Sequence, residues 1–403
     1  MELIISVLTI ATAIIALMEF RDHLQQIRTD RLILADKTLR QNSNQYRGSA
    51  AADYRAQYQD RPEIGVEYLV YDRRWMGGQP GVPLLRPLEE IPVRLLPDRV
   101  ENADFSQEFP LPLPQNTLVE NVALHCGKNL YDHPTFGLDP QTFSGDGLCL
   151  RLGGFYDYFN TCGCLEYESA YAALFRRTPL ARRKVGDLFT DQTRFPAVGI
   201  CTMTVIKNLE PDGGAVFLMH KRAGSVAGSS GMIDVIPAGM FQPVSWNVTP
   251  ADLESRDGAP ARISLKRNVL REYAEELQGQ SEFLDAHAVG AEGGSPLDQV
   301  YFLGMGYNPL STHVELLTVG VVDAALHPEY QYFGTHPGGV GADAPLKLSW
   351  ESGAQVTALP LRISTLRQYQ AMANTTCALR QIFSVAADHF PEFCRTLGVP
   401  EQG

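Results

Sequence analysis

The chain has 403 residues, 44% hydrophobic and 20% charged, and acidic residues outnumber basic ones 46 to 34, for a formal net charge of -12. That length exceeds one ordinary domain, and the apolar fraction excludes a chain without cores. The acidic balance excludes nonspecific coating of duplex nucleic acid, because nothing supplies a counterion-release term.

The first element is an uncharged apolar run, Leu3 to Met18, bracketed by Glu2 and Glu19. At ~1.5 Å per helical residue it reaches roughly 24 Å, short of the ~30 Å hydrocarbon core unless its flanks are included. The segment before it carries no positive charge, which argues against a cleaved signal peptide. Arg21, Arg28, Arg31, Lys37 and Arg40 follow the run. The expectation is therefore a single-pass membrane anchor over residues 1–20, with the positive-inside rule placing the body in the cytoplasm. A buried or oligomerising helix is the other reading. Residues 21–58, polar and free of Pro and of Gly until Gly48, read as a helical stalk, which leaves homo-oligomerisation open.

Residues 59–195 read as an α+β accessory domain, rich in Pro at first, with short β-like runs such as VEYLVY and VRLL. A helix is expected from about Cys164 to Arg177, ending before Pro179. Arg176, Arg177, Arg182, Arg183 and Lys184 form the densest basic cluster, either a solvated face or a contact for phosphate-bearing groups. The seven cysteines are scattered and odd in number, which indicates reduced thiols. Cys162 and Cys164 lack a second pair at zinc-site spacing, and His125, His133 and His287 lack partners at metal spacing.

The texture changes at Pro196, where a second domain over residues 196–365 is expected, followed by a C-terminal helix and tail over 366–403. TMTVIKN and AVFLMHKR read as two strands around a Gly-containing turn. GMIDVIPAGMF reads as a strand ending in Pro237-Ala238-Gly239, and Val300–Met305 and Val314–Val322 as two more. Between them Ser264–Gly279 (SLKRNVLREYAEELQG) has helical composition. On it Val269, Leu270, Tyr273 and Leu277 share one side, while Glu272, Glu275 and Glu276 fall on another. Three crowded carboxylates make either a solvated acidic face or a site for a hard divalent cation.

In this strand order, Arg271-Glu272-Tyr273-Ala274-Glu275-Glu276 resembles the second half of the signature box of the Nudix hydrolases, and Gly239 its opening glycine. The resemblance covers roughly Pro196 to Leu361. Phe241 to about Arg262 looks like an insertion, and the box's first Glu is missing: the positions that count to it are Ser245 or Ile263, with Glu254 inside the insertion. Gln278 stands where the box closes on Gly, with Gly279 one residue later.

The resemblance implies a mixed sheet sandwiched by helices. Glu272, Glu275 and Glu276 would bind Mg²⁺ or Mn²⁺, with Arg271 orienting them and Glu315 as a further acid. Lys221, Arg222 and Gly239 would meet the substrate, and His220 is a candidate for the same pocket or for the core. The implied activity is Mg-dependent hydrolysis of a nucleoside diphosphate linked to another moiety, with a nucleotide or nucleotide-derived molecule as partner. The alternative is a nucleotide-sensing protein that has lost turnover. A membrane helix joined to a Nudix-like domain is similar in architecture to effectors proposed for bacterial nucleotide-signalling antiphage systems. A third reading, the isopentenyl diphosphate isomerase branch, rests on the Asp234-to-Gly239 strand alone.

Overall fold

The computed structural model describes residues 2–96, 105, 117–128, 130–145, 147–223, 231–243, 263–280, 295–336, 338–339, 344–347 and 356–401, with side chains from Thr12 onward. Its first element, α1 (Glu2–Gln57), is one long helix broken in geometry at Asn42, where φ is -123° and ψ 15°. The Asn42 amide donates to the Thr38 carbonyl four residues back, at 3.2 Å, a bond that competes with the helical ladder and bends it. From Leu32 onward α1 is packed: Leu32, Ala35 and Leu39 enter a core with residues of α2 (Leu118–Cys126) and α4 (Cys164–Phe175). Asp36 accepts from the Tyr167 hydroxyl at 3.1 Å.

The expected membrane anchor is corrected here. Among the described residues no helix is long and apolar enough to cross a membrane. The side chains of residues 1–11 lie outside the described set. The single-pass topology, the cytoplasmic placement that rested on it, and the architectural likeness to membrane effectors are withdrawn together.

The remaining elements run β1 (Ile64–Val66), β2 (Val70–Asp72), β3 (Arg86–Pro87), β4 (Val93–Leu95), α2, β5 (Pro134–Leu138), β6 (Leu148–Gly154), α3 (Phe155–Tyr158), α4 and α5 (Leu180–Lys184). Then come β7 (Val198–Leu209), β8 (Gly214–Lys221), β9 (Ile233–Val235), β10 (Ala238–Met240), α6 (Leu265–Leu277), β11 (Leu297–Tyr307) and β12 (Val314–Asp323). The chain closes with α7 (Tyr332–Thr335), β13 (Gly338–Gly339), β14 (Val356–Pro360), α8 (Ile363–Ala371), α9 (Cys377–Asp388) and α10 (Phe390–Leu397).

The architecture is mixed α and β. The larger sheet follows the order β1-β2-β11-β12-β7-β8-β14-β13, with β3, β9 and β10 on its flanks, and β4-β6-β5 form a smaller one. β12 and β7 pair in parallel, Val314 opposite Val198 through Asp323 opposite Lys207. The sheet runs across the expected boundary near Pro196, because β2 and β3 both pair with β11.

Strand periodicity sorts the two central strands into faces. Val198, Ile200 and Ile206 of β7 and Val314, Leu316 and Val322 of β12 bury with Leu265, Val269, Tyr273 and Leu277 of α6. Cys201, Met203 and Val205, with Leu317, Val319 and Val321, bury instead with Leu379, Ile382 and Phe383 of α9 and Phe393 of α10. The sheet is thus sandwiched between α6 on one face and α9–α10 on the other. Burying apolar surface on both faces, at about 25 cal/mol per Å², stabilises this layered core.

Candidate functional site

The helix carrying the acidic residues begins at Ser264, whose hydroxyl accepts from the Arg267 amide and caps it. Its apolar stripe fixes the rotation, and that rotation turns the polar side toward β10 and the end of β8. Arg271 is the hub. Its Nη2 donates to Glu272 at 2.5 Å and to the Met240 carbonyl at 3.2 Å. Its Nη1 donates to the Gln242 side-chain oxygen at 3.2 Å and lies 3.5 Å from Glu275. Glu276 accepts from the Ala238 amide at 2.9 Å, which closes β10 onto the helix.

Gly239 is where the helix approaches most closely: a methyl there would collide with the Glu272 carboxylate. The glycine is required by space, not by its backbone angle. Arg271, Glu272, Glu275 and Glu276 are all at most 8% exposed. Across from Glu276, His220 of β8 is 3% exposed, its Nδ1 3.9 Å from the carboxylate. Neither of its ring nitrogens has a hydrogen-bond partner among the described residues. Burial, then the Arg222 cation, push this imidazole down to about 3, so it is neutral at physiological pH.

The basic residues expected near a substrate separate. Lys221 is exposed, while Arg222 turns inward, its Nη1 3.5 Å from Asp234 and donating to the Ala238 carbonyl at 3.3 Å. Asp234 also accepts from the Thr376 hydroxyl at 2.6 Å, at the N-terminus of α9. Burial raises its carboxyl to about 6.

Glu315 stands on the α9 side of the sheet, by strand alternation opposite to α6. Its carboxylate meets His313 Nε2 at 2.8 Å and accepts from the Cys201 thiol at 3.2 Å. His313 Nδ1 in turn lies 2.5 Å from the Ser311 hydroxyl. Burial alone would raise Glu315, but the His313 charge and hydrogen bond, with the Cys201 bond, bring it down to about 2. Burial would lower His313, and the Glu315 carboxylate overcomes it, so the imidazole titrates above its ordinary value.

No protein-family model matches the chain, and no curated protein is similar to it. Among solved structures, the chain is similar to a Nudix hydrolase from M. smegmatis, RenU, at 13% identity over 48% of this chain and 88% of that one, with a TM-score of 0.22. It is also similar to a mutT/nudix family protein from Listeria innocua, at 13% identity over 48% and 96%, with a TM-score of 0.24. TM-scores this low carry no argument about activity.

Glu272, Glu275, Glu276, Arg271 and Gly239 are therefore brought together, with Arg222 reaching the same turn through Ala238. Glu315 is not among them. Among the described residues no group of three or more His, Cys, Asp or Glu side chains could hold a metal ion. Among the α6 carboxylates, Glu272 is bonded by Arg271, one oxygen of Glu276 accepts from the Ala238 amide, and Glu275 lies 3.5 Å from Arg271. Glu254 and Ser245 lie outside the described residues; Ile263 is described and precedes the cap. Sequence reasoning missed His313, Cys201, Asp234 and Gln242. The alternation His313-Val314-Glu315-Leu316 carried the signal for the first, since residues two apart on a strand share a face.

Proposed function

We propose that the C-terminal half is a Nudix-like nucleotide-binding unit in which the acidic helix organises the binding turn and does not turn the ligand over. The observation that carries this reading is the internal engagement of the helix carboxylates: Glu272 with Arg271 and Glu276 with the Ala238 amide, both buried. A box used in this way keeps Gly239 and the Arg-Glu-x-x-Glu-Glu run for the shape of the turn. The missing first Glu of the box supports the same reading. The ligand class is a nucleotide or nucleotide-derived diphosphate.

The second reading is metal-dependent hydrolysis, favoured by Arg271, which lies within 3.5 Å of both Glu272 and Glu275 as a carboxylate-orienting group would. One experiment separates the two. The full chain is incubated with ADP-ribose, NAD, dinucleoside polyphosphates, nucleoside triphosphates and cyclic di- and trinucleotides, with and without Mg²⁺ or Mn²⁺. Products are followed by chromatography and binding by calorimetry. Binding without product supports the sensor. Metal-dependent product that disappears in Glu275→Gln/Glu276→Gln establishes the hydrolase and overturns the sensor.

A further inference from the structure

Gln242 is the second residue past β10, and it faces in two directions. Its side-chain oxygen accepts from Arg271 Nη1 at 3.2 Å, and its backbone carbonyl accepts from the Asn268 amide of α6 at 2.8 Å. Its side-chain nitrogen lies 3.0 Å from His133 Nδ1 and 3.3 Å from Nε2; Nδ1 also lies 3.4 Å from the Pro134 carbonyl, an acceptor for a proton there, which leaves Nε2 to accept from Gln242. His133 belongs to the accessory region, immediately before β5. Its ring is held at 5.2 Å from Phe155 of α3 and 5.7 Å from Tyr131, the latter 43% exposed. Two further bonds fix the lane between the regions: Thr135 donates to the Phe241 carbonyl at 3.1 Å, and the Phe136 amide donates to the same carbonyl at 3.0 Å.

An amide presents one accepting and one donating end, and a neutral imidazole has one accepting nitrogen, whereas an imidazolium has none. With the oxygen of Gln242 committed to Arg271, its nitrogen faces the histidine, which satisfies both partners only when His133 keeps an acceptor. A proton on that acceptor leaves two donors facing each other. Turning the amide over to repair the contact withdraws the oxygen from Arg271.

We propose that Gln242 and His133 are positioning residues for the nucleotide site: the accessory region sets the Arg271 guanidinium, and through it Glu272 and Glu275, by the hydrogen-bonding state of His133. The inference rests on the reading of the C-terminal half as a nucleotide site, and it gives residues 59–195 a role in it. Among the described residues, the charged and titratable groups near His133 include Asp132 and Tyr131 on its own loop, Arg271 across Gln242, and Asp157 of α3, whose carboxylate accepts from the Gly154 amide. Asp132 is engaged by the Tyr156 amide at 2.9 Å.

The test measures ADP-ribose binding to the full chain by calorimetry at pH 7.5 and pH 5.5. The wild type is compared with His133→Asn, Gln242→Leu and Gln242→Glu. The expected result is about tenfold weaker binding by the wild type at the lower pH and a flat profile for His133→Asn. Gln242→Leu should lose about tenfold at both, and Gln242→Glu, which retains an acceptor for Arg271, should recover most of it at pH 7.5. Wild-type binding that Gln242→Leu leaves unchanged would overturn the positioning role and leave the nucleotide reading standing. If none of the nucleotides binds, that reading fails. The positioning claim is then decided without ligand, by a double-mutant unfolding cycle between His133→Leu and Arg271→Lys. Additivity in that cycle would sink it, and measurable coupling would uphold it.

Discussion

The two faces of the central strands carry two buried charged clusters that differ in what holds them. On the α6 face, Arg271 serves two carboxylates and Glu276 closes on a backbone amide. There one cation organises several anions, and His220 beside them stays neutral. Elsewhere charges are matched in pairs: His313 with Glu315 on the α9 face, and Arg222 with Asp234 beside the N-terminus of α9. The Thr376 hydroxyl and the Cys201 thiol donate to the two carboxylates, and the Ser311 hydroxyl lies 2.5 Å from His313 Nδ1. A hub concentrates the consequence of losing one residue, while matched pairs spread it. The first arrangement suits a turn that must hold one shape, the second a core that must tolerate buried charge.

The largest effect should therefore come from the hub. Arg271→Ala leaves Glu272 and Glu275 buried without their cation and should cost about 3–5 kcal/mol in urea unfolding at pH 7. A loss no greater than that of breaking either the His313–Glu315 or the Arg222–Asp234 pair would erase the distinction between hub and pairs. Glu276→Ala comes next, at about 2–3 kcal/mol, because the Ala238 amide loses its acceptor. Glu276→Gln keeps an acceptor oxygen and should cost under about 1 kcal/mol. Equal losses in the two Glu276 variants would mean that charge, not the bond to β10, matters there. Gly239→Ala should cost about 2 kcal/mol through the displaced Glu272 side chain, and restoring wild-type stability by adding Glu272→Ala would confirm the collision as its source.

The comparison also separates what a sequence reader can and cannot find. The α6 cluster was legible because its residues lie five or fewer apart on one amphipathic helix, following a strand that ends in Ala238-Gly239. The partner of that cluster in β8, His220, was adjacent to the basic residues singled out. What the helix could not announce was where each carboxylate would point, which depends on the β10 backbone. Glu315 was found for a different role: its residue type drew attention, but its face follows from the pairing of β12 with β7, a contact over a hundred residues apart in sequence. Gln242 and His133 carry no motif at all. Likewise β1 to β3 are two or three residues long, too short for any periodicity, so their place in the larger sheet was hidden in a Pro-rich stretch. The anchor reading rested on composition alone, and among the described residues no helix is long and apolar enough to cross a membrane.

The smallest expected effect is the most discriminating, because it depends on sign. Glu315 titrates at about 2 in the folded chain, below its ordinary value of ~4.3. Its stabilising contribution is present above that ordinary value and is lost as pH falls toward 2. His313 is raised above its ordinary ~6.5, so its contribution is present below that value and is lost as pH rises through the higher, folded one. The pair therefore contributes most between about pH 4.3 and 6.5 and less on either side. His313→Gln should cost about 1–2 kcal/mol within that window. The variant leaves Glu315 buried with the Cys201 thiol and the Arg222 charge but without its paired imidazolium, so its carboxyl moves up. The difference between wild type and variant, read from urea midpoints at half-unit steps from pH 3 to 8, should shrink toward both ends. A difference that stayed constant across that range would mean that His313 packs and bonds without carrying charge. The two faces would then differ in geometry but not in electrostatics.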